Sequence, residues 1–438
     1  MKPKFNVLLP FIIFLAVFAL LNIIYSADNI VRDNFAICAA FVALICSFFT
    51  FQKKESFNKR VELFIEGSSQ SIVMHMCYIF LLSTVFTTIL DQTGGIHSAV
   101  NLCLYIIPTW CILPGVFMVS SLFSFTVGTS MGAIAAFMPI AVSIANHLAL
   151  NPSLMAATVV CGAMFGDNLS ILSDTTIAAV KVTNTTMTKK LILNSKIALP
   201  AFIGSILLLT YKNYNMIQAV DISHVPTISF LDMIKTLPYV ATFYLALTGL
   251  DIIIVLVLGI IFALSIGLLL QNITMLMAIN LLFDGFYNSK GMVNVFILVL
   301  LLSGLSSIIT YNGGIEYLIN KLKHKISSPR YAKLAILLLI VLINITIAIN
   351  TIAIIIAGPI AVEIGEDYEI DNTEIACILD IGSCTVQGLL PYTPQLLLAA
   401  SMAQVSTISL LPYLYYQLLL GISLLLTITW RKNKPIRK

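Results

Sequence analysis

The chain has 438 residues, of which 59% are hydrophobic and 10% charged, with a formal net charge of +4. Soluble domains carry about 25% charged residues, so a water-soluble fold would leave much of this apolar surface wet, and the small net charge gives no sign of a nucleic-acid partner. A bilayer removes the penalty, and there only helical bundles and closed barrels satisfy their own backbone hydrogen bonds.

Barrel strands would appear as alternating segments of about ten residues. The apolar runs here are long and unbroken, so an all-α polytopic membrane protein is predicted. At about 20 apolar residues per crossing, spans are predicted at 7–24, 34–51, 71–90, 102–123, 191–211, 252–270, 293–309, 332–349 and 411–430. Interrupted apolar stretches between them raise the expected total to about ten to twelve segments, some of them broken helices or hairpins. Segment 7–24 follows Lys2 and Lys4 as a signal peptide would, but Tyr25-Ser26-Ala27 offers no convincing cleavage site, so it reads as the first span. The eight cysteines sit mostly inside apolar segments with no Cys-x-x-Cys pair, which fits packing better than metal or redox work.

Basic residues cluster at Lys2/Lys4, at Lys53, Lys54, Lys59 and Arg60, at Lys321, Lys323, Lys325 and Arg330, and at 431–438. Positive loops stay cytoplasmic, so both termini are predicted inside a bacterial plasma membrane. The acidic stretch 363–374 has no lysine or arginine and is placed outside.

The two halves echo each other. Gly94-Gly95-Ile96 recurs as Gly313-Gly314-Ile315, Pro139-Ile140-Ala141-Val142 as Pro359-Ile360-Ala361-Val362, and Gly162 as Gly382. Ordered identities at one separation signal an internal repeat. The charge pattern sets the first glycine pair outside and the second inside, so the repeats are expected to be inverted. The expected division is a two-span segment over 1–60, one repeat over 61–211, a polar linker at 212–236, a second repeat with its preceding spans over 237–430, and a basic cytoplasmic tail at 431–438.

The chemistry is expected in the run from Phe165 to Ala179, where Asp167, Asn168, Ser170, Ser173, Asp174, Thr175 and Thr176 crowd together between apolar stretches. In a continuous helix Asp167, Ser170 and Asp174 share one face; a break at Gly166 would add free carbonyls. Either arrangement is rich in oxygen, which hard cations such as sodium prefer. A solvated turn is the plainer reading of such residues, yet two carboxylates at membrane depth are costly enough to imply a role. Upstream, Gly128-Thr129-Ser130 interrupts an apolar helix, and Asn350-Thr351 does the same in the second half, which suggests paired broken helices. Asp380 and Gln387 supply the polar segment of the second repeat. His75, Asp251 and Asp284 read as packing or interfacial residues, and Lys181 as a snorkelling one.

These stretches, together with Leu379-Asp380 and Cys384-x-x-Gln387-Gly388-Leu-Leu-Pro391-Tyr392, resemble the signature segments of the NhaC-type sodium/proton antiporters over about residues 60 to 430. Ala133 and Thr393-Pro394 depart from that pattern. The resemblance implies ion-coupled antiport, in a group that is also similar to carriers of organic acids and amino acids.

The expected mechanism is competition of sodium and a proton for one intramembrane carboxylate, since a poorly hydrated carboxylate holds a proton readily. Asp174 is the first choice and Asp167 the second, with Asn168, Ser170, Ser173, Thr175, Thr176 and Asn350 as ligands. The alternative is a sodium- or proton-coupled carrier of a small organic acid or amino acid, which needs a cationic or helix-end anchor. An intramembrane hydrolase finds no His-Glu-x-x-His or Gly-x-Ser-x-Gly. No cofactor is expected beyond the transported sodium and proton; the bilayer is the expected partner, with a homodimer left open.

Overall fold

The computed structural model describes residues 5–25, 33–51, 55–106, 108–217, 228–287, 290–323 and 327–430. The basic ends at 1–4 and 431–438, and most of the polar linker with Asp221, His224 and Pro226, lie outside the described residues.

Every regular element among the described residues is helical. The first half comprises α1 (Leu9–Ile24), α2 (Asp33–Phe49), α3 (Phe57–Ser68), α4 (Ser71–Gln92), α5 (Gly95–Ile106), α6 (Ile112–Val127), α7 (Ser130–His147), α8 (Pro152–Leu169), α9 (Asp174–Thr183) and α10 (Met187–Ile217). The second comprises α11 (Phe230–Leu247), α12 (Ile252–Leu269), α13 (Met275–Tyr287), α14 (Lys290–Tyr311), α15 (Gly314–Lys323), α16 (Pro329–Ile347), α17 (Asn350–Asp367), α18 (Asn372–Gln387), α19 (Pro394–Ala403), α20 (Thr407–Leu410) and α21 (Tyr415–Trp430). Each helix of the first half has a counterpart about 220 positions on, with α20 and α21 together standing for α10. The recurrence therefore starts ahead of residue 61, because α1–α3 return as α11–α13.

The match holds at the level of single hydrogen bonds. Asn151 caps α8 by accepting from Ser153 N–H at 2.9 Å, and Asp371 caps α18 by accepting from Thr373 N–H at 2.7 Å. Ser124 Oγ donates to the Ala163 carbonyl at 2.5 Å; at the same place in the second half Asn344 Nδ2 donates to the Ser383 carbonyl at 2.8 Å. Left-handed backbone recurs in register too, at Ala149 and Glu369 and at Asn184 and Gln404. Packing between halves is reciprocal: α9 lies on α17 while α19 lies on α7, and α3 lies on α14 while α13 lies on α4. Such exchange is what a two-fold relation produces.

Among the described residues eight stretches are long and apolar enough to cross a bilayer, one of them α8 with α9 taken together as Pro152–Thr183, and the bent pair Pro394–Ala403 with Thr407–Tyr413 makes a ninth if it counts as one span. The runs at 34–51, 102–123 and 411–430 are not full-length single helices. Phe35–Phe49, Ile112–Val127 and Tyr415–Trp430 are shorter apolar pieces, and 102–123 is divided between α5 and α6. Large apolar side chains such as Ile203, Leu207, Ile254, Ile261 and Leu425 point outward, an arrangement suited to lipid and not to water. The chain is an integral membrane protein.

Candidate functional site

Four helix breaks come together where the halves interlock. α6 stops at Val127, Gly128 adopts φ +78, Thr129 is extended, and α7 restarts at Ser130. Only glycine takes that conformation without strain, and a Cβ there would also stand 2.5 Å from Leu172 Cβ. The second half breaks at the same place: Ala348 has φ +58, Ile349 is extended, and α17 begins at Asn350. α8 ends at Leu169 and α9 begins at Asp174, while α18 ends at Gln387 and α19 begins at Pro394.

Neither sequence geometry for the 167–176 run holds. Gly166 does not break the helix; it sits within α8 and presses on α6, where a Cβ would lie 2.2 Å from the Ser121 carbonyl oxygen. The break comes at Ser170–Ser173, so Asp167 and Asn168 close one helix and Asp174 opens another. The expected shared face of Asp167, Ser170 and Asp174 is lost for that reason.

Asp167 is buried, with the Ser130 and Ser173 hydroxyls beside it and Asp380 within electrostatic range. Ser173 and Thr175 share a hydroxyl contact of 2.9 Å. From Ser130 a chain of amides leads into the other half. Gln395 Nε2 donates to Ser130 Oγ at 3.4 Å, and Gln387 Nε2 donates to Gln395 Oε1 at 2.8 Å and to the Ala348 carbonyl at 2.9 Å. Asn350 Oδ1 accepts from Thr351 N–H at 3.0 Å, and its Nδ2 approaches Cys384 Sγ at 3.9 Å. Ser170 is buried within the turn, where its hydroxyl accepts from Leu172 N–H at 3.2 Å; Thr129 and Thr351 mark the two breaks and make no contact with Asp167 among the described interactions.

A cation stands at the centre. Lys190 is fully buried and ion-paired with Asp380, and its Nζ donates to Thr176 Oγ1 at 2.5 Å. Asn194, one turn along α10, donates to Asp380 Oδ2 at 2.7 Å and to the Asn168 carbonyl at 3.1 Å. Asn168 Nδ2 in turn donates to the Tyr416 hydroxyl at 2.9 Å. Four buried side-chain oxygens in this assembly have no donor among the described residues: Asn168 Oδ1, Asn194 Oδ1, Asp380 Oδ1 and Gln387 Oε1.

Sequence reasoning missed Lys190, Asn194 and Tyr416. A periodic reading of α10 finds the first two, because Lys190, Asn194, Ile197, Ala201 and Ser205 repeat every three or four residues and all are buried. Asp174 moves the other way. Its side chain is exposed and lies near His75 and Asp251, which approach each other at 3.7 Å.

The sequence profile described as the Na+/H+ antiporter family matches residues 4–192 and 288–430, most of the chain. The chain belongs to that family. It is thereby an antiporter-type membrane transporter, of a family that is not one of enzymes. It is similar to the arginine/ornithine antiporter ArcD of Halobacterium salinarum, with 24% identity over 391 residues, 82% of this chain and 79% of the relative. It is also similar to a malate-2H+/Na+-lactate antiporter of Bacillus subtilis, with 20% identity over 332 residues, 69% of this chain and 71% of that one. Among solved structures, the Alcanivorax borkumensis YdaH transporter aligns over 97% of this chain and 98% of its own, at 14% identity and a TM-score of 0.45. Neisseria gonorrhoeae MtrF aligns over 95% and 94%, at 12% identity and a TM-score of 0.38.

Proposed function

We propose that this antiporter exchanges sodium for protons at Asp167, with the two halves, 5–217 and 228–430, inverted about the interlocked breaks. The observation that carries the reading is the charge count at the centre. Asp167 and Asp380 contribute two negative charges and Lys190 one positive, and Lys190 is already paired with Asp380. One negative charge is left over, and one monovalent cation or one proton neutralises it. A buried net charge is expensive, so the site favours being loaded with either species over standing empty, which is the condition for obligatory exchange. The Ser130 and Ser173 hydroxyls lie beside Asp167, and uncommitted amide oxygens such as Gln387 Oε1 are the hard ligands a dehydrated sodium ion accepts.

Asp167 replaces Asp174 as the shared carboxylate in this proposal. Asp174 faces His75 and Asp251, apart from the hydroxyls and amides gathered around Asp167. The basic clusters remain the argument for cytoplasmic termini in a bacterial plasma membrane; modification of a single cysteine in the 321–330 loop by an impermeant reagent outside intact cells would overturn that orientation.

A second reading, exchange of small organic acids or amino acids, is favoured by Lys190. A buried ammonium is the anchor a substrate carboxylate requires, by displacing Asp380 from the pair, and the curated relatives named above are antiporters of such solutes. Proteoliposomes with a trapped pH dye separate the two. Sodium added outside should drive proton movement with no organic compound present, and lithium should replace sodium better than potassium. If the dye stays silent until malate, lactate, arginine or ornithine is supplied, the sodium–proton reading fails and the second stands.

A further inference from the structure

A cavity of about 390 Å³ opens between α3, α14 and the α16–α17 break, apart from the ion site. Helical serines and threonines in this protein commonly turn back and donate to their own helix, as Ser83, Thr158, Thr183 and Ser205 do. The α14 wall departs from that habit. Ser303, Ser306, Ser307 and Thr310 line the cavity with side chains that make no hydrogen bond among the described residues, although Ser303 and Ser306 are more than nine-tenths buried. Helix α3 runs antiparallel along this wall. A Cβ on its Gly67 would run into Ser307 Cβ, whereas Glu55, ahead of the helix, accepts from the Tyr311 hydroxyl at 3.0 Å. Glu66, next to Gly67 and also lining the cavity, therefore stands level with the unpartnered hydroxyls.

Glu66 is also the carboxylate left over. Over residues 55–70 the carboxylates are Glu55, Glu62 and Glu66 and the cations Lys59 and Arg60, three against two. Lys59 is paired with Glu62 at 3.0 Å, and Arg60 donates to the Phe48 and Glu55 carbonyls and lies over the Phe51 ring. Glu66 has no ion pair or hydrogen bond among the described residues, and it lies about 10 Å of helix beyond Lys59. Opposite, Ile347, Ile349, Ile352 and Ile356 form an aliphatic wall. The first half offers no equivalent. Gly285 takes the place of Glu66 there, a Cβ on it would lie 2.7 Å from Val85 Cα, and Thr84 and Thr87 of α4 are satisfied by the Leu81 and Ser83 carbonyls.

A carboxylate with no counter-charge, hydroxyl oxygens with no donor and a wall of isoleucines are complementary to a cation that carries its own apolar surface. A metal ion would leave the isoleucines wet, and an anion or a neutral solute would leave Glu66 unmatched. Pockets for small molecules run from about 300 Å³ upward, so the space suffices. We propose that this cavity binds a primary alkylammonium ion, its nitrogen donating to Glu66 and the α14 hydroxyls and its chain lying on the isoleucines. Ile347 and Ile349 flank Ala348, whose carbonyl accepts from Gln387 Nε2, so an occupant touches the second-half break without touching Asp167. Binding at this place goes beyond the sodium–proton reading and does not depend on it.

Equilibrium binding of radiolabelled n-butylammonium to the full chain in phosphatidylcholine nanodiscs, with the signal of empty nanodiscs subtracted, tests it. Saturable binding is expected, displaced by unlabelled n-pentylammonium and not by butyrate, butanol or sodium at the same concentration. Glu66→Gln, which keeps the shape and removes the charge, should weaken it about tenfold or more, as the loss of a charge-assisted hydrogen bond does. Ser306→Leu, which fills the cavity, should abolish it. Sodium-driven proton flux should survive in Glu66→Gln, so its presence or absence reports on the ion site separately. Absence of saturable n-butylammonium binding, binding unchanged in Glu66→Gln, or equal displacement by butyrate, butanol or sodium overturns the proposal.

Discussion

Asp167 and Gln387 occupy equivalent positions in the two halves, each in the last turn before a break, 220 residues apart. One is a carboxylate with hydroxyls for neighbours; the other is an amide bonded to Gln395 and to the Ala348 carbonyl. The comparison teaches that the scaffold repeats while the charge does not. Two carboxylates facing each other at this depth would repel and hold their protons. With an amide opposite, the proposed site keeps its uncompensated carboxylate in the first half, while Asp380 of the second half is matched by Lys190.

The largest expected effect follows directly. Asp167→Asn should abolish sodium-driven proton flux in proteoliposomes at unchanged expression, whereas Gln387→Ala should slow the flux and leave it coupled. Equal loss in both would erase the distinction between the halves. Next comes the pair that crosses between them. Lys190→Met strands Asp380 in the interior, and breaking one partner of a buried pair costs about 3–5 kcal/mol. Thermal unfolding in detergent should show that loss for the single variant and recover much of it for Lys190→Met with Asp380→Leu. A double variant no more stable than the single one would mean the pair is not coupled.

Smaller effects come from the breaks themselves. Gly128→Ala is expected to destabilise, because φ is +78 and the new Cβ meets Leu172. Ala348→Gly removes a left-handed alanine and should be neutral or stabilising by about 1 kcal/mol. Opposite signs in the same unfolding assay are what two breaks held in the same left-handed conformation give; equal signs would show that the matched breaks are held differently. The mildest change is Asp174→Asn, with flux close to wild type; a complete loss there would return the shared carboxylate to the position the sequence favoured.

Much of this arrangement was legible in the sequence because polar residues stand out against an apolar ground. The breaks at Gly128-Thr129-Ser130 and Asn350-Thr351 were visible as hydroxyls and amides where leucines belong, and the repeat announced itself through three short identities. The sequence puts Asp174 ahead of Asp167 and the proposal reverses that order, because their seven-residue spacing suits one helix as well as two and only the turn at Ser170–Ser173 separates their surroundings. Lys190 stayed hidden for a related reason. It follows Lys189, which is exposed, and adjacent lysines after a polar turn look like a solvated loop until the face of α10 is known. The reach of the repeat into α1–α3 was equally obscure, since these helices match α11–α13 in length and order while sharing little composition.

Cys384, buried one turn beyond Asp380 and touched by Asn350, gives the molecule a built-in stopwatch. A thiol so enclosed reacts with a small permeant alkylating agent only during the moments when the surrounding helices part. Its rate of modification, measured at steady state with the remaining cysteines replaced, counts those moments. Sodium at fixed pH should change that count, so the fraction of time spent open is measurable without following any transported species.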